Sequence, residues 1–204
     1  ADLTPTPAFE QLFITCSWER EDDGLSQPNH YADTLLKSLS TDFERNEEHP
    51  ILSARILQAA PAQYLHDELY RAIRDSTIGL VLLTCDMESN GQYYSRPNIY
   101  HELGYMMRHL SRDRVIIMAE NGVSIPSNVN HIIRINFTPG KIDLCYCDLL
   151  KTLRNIIPLD DLILDNAAKT HTIRLQHLME QEKISPAEFR KAKDRLEQMV
   201  IRKA

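Results

Sequence analysis

The chain has 204 residues, 43% of them hydrophobic and 25% charged, enough for one domain with a substantial core plus a small appendage. A net charge of −6, with basic residues interleaved among acidic ones, argues against a bulk nucleic-acid binder. No apolar run approaches the ~20 residues of a membrane-spanning helix, and the four cysteines read as reduced thiols of a cytoplasmic protein rather than as metal ligands or disulfides.

The opening "ADLTPTPAFEQ" has neither a basic start nor an apolar h-region and is not expected to be a signal peptide. "QLFITCS" (Gln11 to Ser17) is a short β-rich run. His30 to Asn46 has helical spacing, with Tyr31, Leu35, Leu36, Leu39 and Phe43 recurring at three and four. Pro50 to Leu57 reads as a strand. Ala62 to Ser76 reads as a helix with Leu65, Leu69, Ala72 and Ile73 on one face. "TIGLVLLTCD" (Thr77 to Asp86) is apolar without alternation, as in a strand covered on both faces. A helix follows from Pro97 to about Leu110. Asp113 to Glu120 is another buried strand, His131 to Phe137 a shorter edge strand, and Lys141 to Ile157 closes with a helix.

This alternation predicts an α/β domain over residues 11–157, with a five-stranded parallel sheet and helices on both faces. Pro158 to Thr170 reads as a connector, and His171 to Ala204 as a hairpin of two short amphipathic helices. The first carries Ile173, Leu175, Leu178 and Met179. The second opens with a capping box, Ser185-Pro186-Ala187-Glu188, and is lined by Phe189, Ala192, Leu196, Met199 and Val200. Such helices bury little surface alone, so they should dock on the main domain or on another copy.

In an open parallel sheet the ligand crevice lies outside the C-terminal strand ends. The segments leaving those ends are Cys16 to Asp22, Gln58 to Tyr64, Thr84 to Asn98 and Glu120 to Asn128. The third opens a helix at "SRPNIYHELG" (Ser95 to Gly104). Pro97 suits its first turn, and Ile99, Leu103, Met106 and Leu110 form its buried stripe. Asn98 and Glu102, four apart, share a face at the margin of that stripe, near the positive end of the helix dipole. Glu102 can point into the crevice, or it can simply complement the dipole on a surface helix. Gly104 can serve close packing of a neighbouring element.

"STIGLVLLTCD", "SRPNIYHELGYMM" and "RDRVIIMAENGVSIPSNVNHIIRINF" together resemble the TIR-like nucleotide-binding domains of bacterial defence effectors, over Ser76 to Phe137. The matching pieces are a buried strand ending in Thr-x-Asp, then Arg-x-Asn-x-x-x-Glu-Leu-Gly, a second buried strand and an Ile-Pro-Ser loop. The resemblance implies a flavodoxin-like TIR fold and cleavage of the nicotinamide–ribose bond of NAD. Glu102 falls at the catalytic position, with Asn98 one turn before it. NAD is then the substrate, and no separate cofactor or metal is implied.

Around Glu102 the substrate-binding candidates are Ser17, Trp18, Arg20, Thr84, Asp86, Arg96 and Asn98. Ser17 and Arg20 are placed for ribose or phosphate contacts. Trp18 either stacks on a ring of the substrate or packs on a neighbouring loop. Asp86 is either a ligand or a turn-forming residue, and Arg96 either a pyrophosphate partner or a solvated loop residue. With six glycines and no Gly-rich loop, a GxGxxG dinucleotide site is excluded. The resemblance also implies self-association into an oligomer or filament and an activating protein or nucleotide signal; the apolar faces of the C-terminal helices and the place of the Gln58–Tyr64 loop at the ligand edge make these the expected contributors to assembly. Two other functions share the fold type: a non-catalytic TIR-like signalling module, and a nucleoside deoxyribosyltransferase-like enzyme.

Overall fold

The apolar runs of this chain alternate sides residue by residue, and that parity builds two separate core layers on one sheet. The computed structural model describes residues 9–20, 26–44, 51–57, 65–129 and 132–201. In chain order the elements are β1 (Glu10–Thr15), β2 (Trp18–Arg20), β3 (Ser26–Pro28), α1 (His30–Phe43), β4 (Leu52–Ile56), α2 (Leu65–Arg74), β5 (Ile78–Leu83) and β6 (Met87–Ser89). They continue as β7 (Gln92–Tyr94), α3 (Pro97–His109), β8 (Val115–Glu120), β9 (Ile133–Phe137), α4 (Tyr146–Ile156), α5 (Asp161–Glu180) and α6 (Pro186–Ile201).

The main sheet is five-stranded and parallel throughout, in the order β4-β1-β5-β8-β9. β1 and β5 are neighbours, so the strand order reverses beside them and opens a crevice at their C-terminal ends. Leu12 and Ile14 of β1 face one layer with Leu80 and Leu82 of β5, packed under α1, α4, α5 and α6. Phe13, Val81 and Leu83 face the other layer, packed under α2 and α3. All six residues of β5 are buried, as its unbroken apolar run requires. Gly79 of β5 is where α3 comes closest: a Cβ there would lie 2.8 Å from Met106 Sδ.

α3 begins with Pro97 at its first position and buries Ile99, Leu103 and Met106. Gly104 does not serve close packing, because it is exposed and a Cβ there would meet nothing within 4 Å. Gly104→Ala is therefore expected to raise the unfolding free energy by about 0.5–1 kcal/mol, read from urea denaturation. An unchanged or lower midpoint would show that the glycine has a role beyond the helix itself.

Two hairpins absent from the alternating pattern stand at the crevice. β2 pairs with β3, and β6 pairs with β7 through Asn90 and Gly91, both in the left-handed region at φ 53° and 74°.

Of the segment 158–170, all but the first three residues is helix rather than connector. Asp160 caps α5 by accepting from Ile163 N at 2.9 Å, and Leu164, Ala167 and Ala168 are buried against the main core. The capping box opens α6 as its spacing requires: Ser185 N donates to Glu188 Oε2 at 2.8 Å, and Glu188 N to Ser185 Oγ at 3.2 Å. The C-terminal hairpin docks on its own domain, with Leu175, Leu196 and Met199 buried and Leu178, Met179, Phe189 and Val200 partly so. Ile173, expected on the apolar face, is 58% exposed. Among the described residues no helix is long and apolar enough to cross a membrane.

Candidate active site

Strand parity aims the end of β1 at α3. Thr15, two residues beyond Phe13, lies on the α2/α3 side of the sheet and is 3% exposed. Its hydroxyl donates to Oε2 of Glu102. The other carboxylate oxygen, Oε1, accepts from Asn98 Nδ2 at 3.4 Å, a contact between residues one turn apart on α3. Glu102 is half-buried, and burial pushes its carboxyl up from the ordinary 4.5 to about 7, with Asn98 acting weakly in the opposite direction. Among the described residues no cation forms an ion pair with it. The result is a carboxylate at the ligand edge, partly stripped of water and balanced near neutral pH.

A second cluster sits beside it and consumes most of the remaining candidates. Asp86 Oδ1 accepts from Ser17 Oγ at 3.0 Å and from Thr84 Oγ1 at 2.7 Å, while Oδ2 accepts from Arg96 N at 3.1 Å. Ser17 in turn accepts from Asn29 Nδ2 at 3.2 Å, and Asn29 Oδ1 caps α1 by accepting from Ala32 N at 3.0 Å. Ser95 Oγ bridges the backbone of Thr84, accepting from its N at 2.6 Å and donating to its O at 2.9 Å. Ser17, Thr84 and Ser95 are buried. These bonds tie the ends of β1 and β5 to the starts of α1 and α3. They fix the helix that carries Glu102.

A third strut lies on the far side of β5. Glu120 of β8 accepts from Tyr31 OH and from Cys85 N, each at 2.8 Å, and Gly140 N donates to Tyr31 OH at 2.8 Å. Burial and the Glu120 carboxylate push the Cys85 thiol up to about 11, which disfavours the thiolate form. Beyond this strut a pocket of about 290 Å³ opens at the ends of β8 and β9, lined in part by Glu120, Asn121, Arg134 and Asn136. None of the residues bonded to Glu102 lines it.

Of the sequence candidates, the structure therefore joins Glu102 with Asn98, and Ser17 with Thr84, Asp86 and the backbone of Arg96. The Arg96 side chain is exposed at the mouth of α3. Trp18 is half-buried in β2, opposite Pro28 in the ladder. Arg20 ends β2, and its side chain lies outside the described residues, as does the loop Gln58 to Tyr64. Sequence reasoning missed Thr15, Asn29 and Ser95. Asn29 was recoverable, because an asparagine directly before a helical period is a capping signal.

A family model described as CAP12/Pycsar effector protein, TIR domain, matches residues 29–139, just over half of the chain. The chain belongs to this TIR family. The resemblance read over Ser76 to Phe137 therefore holds, and the parallel sheet with β1 and β5 adjacent is the TIR fold. The matched span carries Asn98 and Glu102 but not β1, so Thr15, at the end of that strand, and Ser17, just beyond it, lie outside the match. No curated protein matches the chain.

Proposed function

We propose that this TIR domain is an NAD glycohydrolase that breaks the nicotinamide–ribose bond and serves as an effector in bacterial defence. The observation that carries the reading is Glu102: a half-buried carboxylate on the crevice edge, raised to about 7 and balanced by no ion pair among the described residues.

The chemistry asks little else of the protein. Nicotinamide leaves as a neutral base once the C1′–N bond breaks and its electron pair goes to the ring nitrogen, so no general acid is required. The ribose then carries oxocarbenium character. A carboxylate bonded to the ribose hydroxyls stabilises that charge, and does so better when water is excluded. Water adds to C1′ and loses a proton, giving nicotinamide and ADP-ribose. The cost of holding Glu102 desolvated in the free protein is offset as the positive charge develops. A cationic substrate also favours the ionised carboxyl, so binding itself draws Glu102 into its reactive form.

In this reading the domain works in self-associated form under an activating signal, which the family resemblance supports. The apolar faces of the C-terminal hairpin do not add to that support, because its own domain covers most of them.

The test is incubation of the purified chain with NAD, at several protein concentrations, with chromatographic detection of nicotinamide. Release that scales with protein supports the reading. Release of free base from a deoxynucleoside, with NAD untouched, would replace it by the deoxyribosyltransferase reading.

A further inference from the structure

The two oxygens of Glu102 are not equivalent, and the difference follows from where their partners lie. Oε2 points inward to Thr15, which is 3% exposed and set by the last residue of a central strand. Oε1 points outward to Asn98, which is exposed and only 3.4 Å away, near the limit of a hydrogen bond. Water or a sugar hydroxyl can displace the second contact at little cost. The first lies in the interior.

Thr15 is suited to hold the carboxylate. Its β-branched side chain is stiff at χ1, and the ladder between β1 and β5 fixes its backbone. Its register partner on β5 is Val81, which offers its hydroxyl nothing. Glu102 has three rotatable side-chain bonds, while its backbone is pinned by Ile99, Leu103 and Met106 beneath. One buried donor on one oxygen removes the remaining freedom without adding charge. A lysine or arginine there would neutralise the carboxylate that the chemistry needs.

We propose that Thr15 is the positioning residue of this site, holding Oε2 of Glu102 and leaving Oε1 as the oxygen that meets the ribose. The proposal rests on the glycohydrolase reading for its consequence, and on the Thr15–Glu102 contact for its substance. Thr15 does not touch the reacting atoms and acts only through Glu102.

The test compares Thr15→Val, which keeps shape and removes the hydroxyl, with Thr15→Ser, which keeps the hydroxyl. NAD turnover is measured together with a carbon-13 titration of the Glu102 carboxyl, assigned by its loss in Glu102→Gln. Thr15→Val is expected to lower kcat by about 10- to 100-fold, the scale of a misplaced catalytic group, with a much smaller change in KM. Thr15→Ser is expected to restore most of the rate. The Glu102 midpoint is expected to rise in Thr15→Val, since a hydroxyl bonded to the charged form favours it.

Wild-type kcat and an unmoved midpoint in Thr15→Val would overturn the proposal. So would equal losses in the valine and serine variants, which would mark a packing role. If Thr15→Val does not fold, Thr15→Ala makes the same comparison. If the wild-type chain releases no nicotinamide and the midpoint still moves in Thr15→Val, the positioning contact stands and the glycohydrolase reading falls.

Discussion

Replacing Glu102 by glutamine is expected to lower NAD turnover by on the order of 1000-fold while leaving the domain folded. The side chain keeps its length, its amide oxygen can still accept from Thr15, and the stripe of Ile99, Leu103 and Met106 beneath it is untouched. The same variant is expected to be more stable than wild type above pH 7. The folded carboxyl titrates near 7 against an ordinary 4.5, so between those values the folded chain binds the proton that the unfolded chain has released. Wild-type stability therefore falls as pH rises from about 4.5 to about 7, and stays lower above that. Glutamine has no charge to desolvate. The gain should be about 1–3 kcal/mol at pH 8, discounted for the half-buried site, and should vanish below pH 4.5. Thermal melts of both proteins across this range check the sign. Equal melting at pH 8 would show that Glu102 carries no burial cost, and full turnover in the variant would remove it from the chemistry.

How far the sequence shows this site depends on the range of the interaction involved. Local signals were legible. The buried stripe of α3, the Pro97 start and the Asn98–Glu102 spacing all follow from helical period, and Glu102 falls on the crevice edge because its helix follows the C-terminal end of a parallel strand. The capping box at Ser185 and Glu188 is read from three residues. Thr15 was not legible, because its partner is far along the chain and only the β1–β5 pairing with α3 above it brings them together. The small hairpin at Asn90-Gly91 was overlooked for a different reason. The dipeptide is a strong turn signal, but Met87–Ser89 and Gln92–Tyr94 are three residues each and too short to show alternation. The segment 158–170 reads as a connector because Asp161, Asp165 and Asn166 mask its period. Leu164, Ala167, Ala168, His171 and Leu175 continue that period without a break, but one member is a histidine, a residue type that does not by itself mark a core position.

Arg174→Met is expected to destabilise the folded chain by about 2–4 kcal/mol, because that histidine belongs to a buried polar cluster centred on Arg174. Arg174 of α5 pairs with Asp42 of α1, whose side chain is 0% exposed, and lies over the Tyr146 ring of α4 at 5.4 Å. Tyr146 OH donates to the other Asp42 oxygen at 2.8 Å. Arg174 Nη1 sits 3.2 Å from His171 Nδ1, and a guanidinium can only donate, so His171 is neutral with its proton on Nε2, given to the Asp143 carbonyl at 2.8 Å. Burial holds His171 down to about 3, which agrees with that tautomer. Methionine keeps the packing of the stem but removes the guanidinium beside a fully buried carboxylate. The estimate sits below the usual range for a buried pair because the Arg174 side chain keeps 22% exposure. Adding Asp42→Asn should recover part of the loss, since asparagine still accepts from Tyr146 and needs no cation, giving a coupling of about 1–3 kcal/mol in the double-mutant cycle. Urea denaturation of the four proteins measures it. The cluster joins α1, α4 and α5, so α5 is a structural wall of the TIR domain rather than an appendage. A chain cut after Thr170 loses Arg174 and the fully buried Leu175 together, and is expected to unfold rather than remain as a smaller domain. A loss below about 1 kcal/mol in Arg174→Met, or a folded chain ending at Thr170, would show instead that the domain is complete without its C-terminal helices.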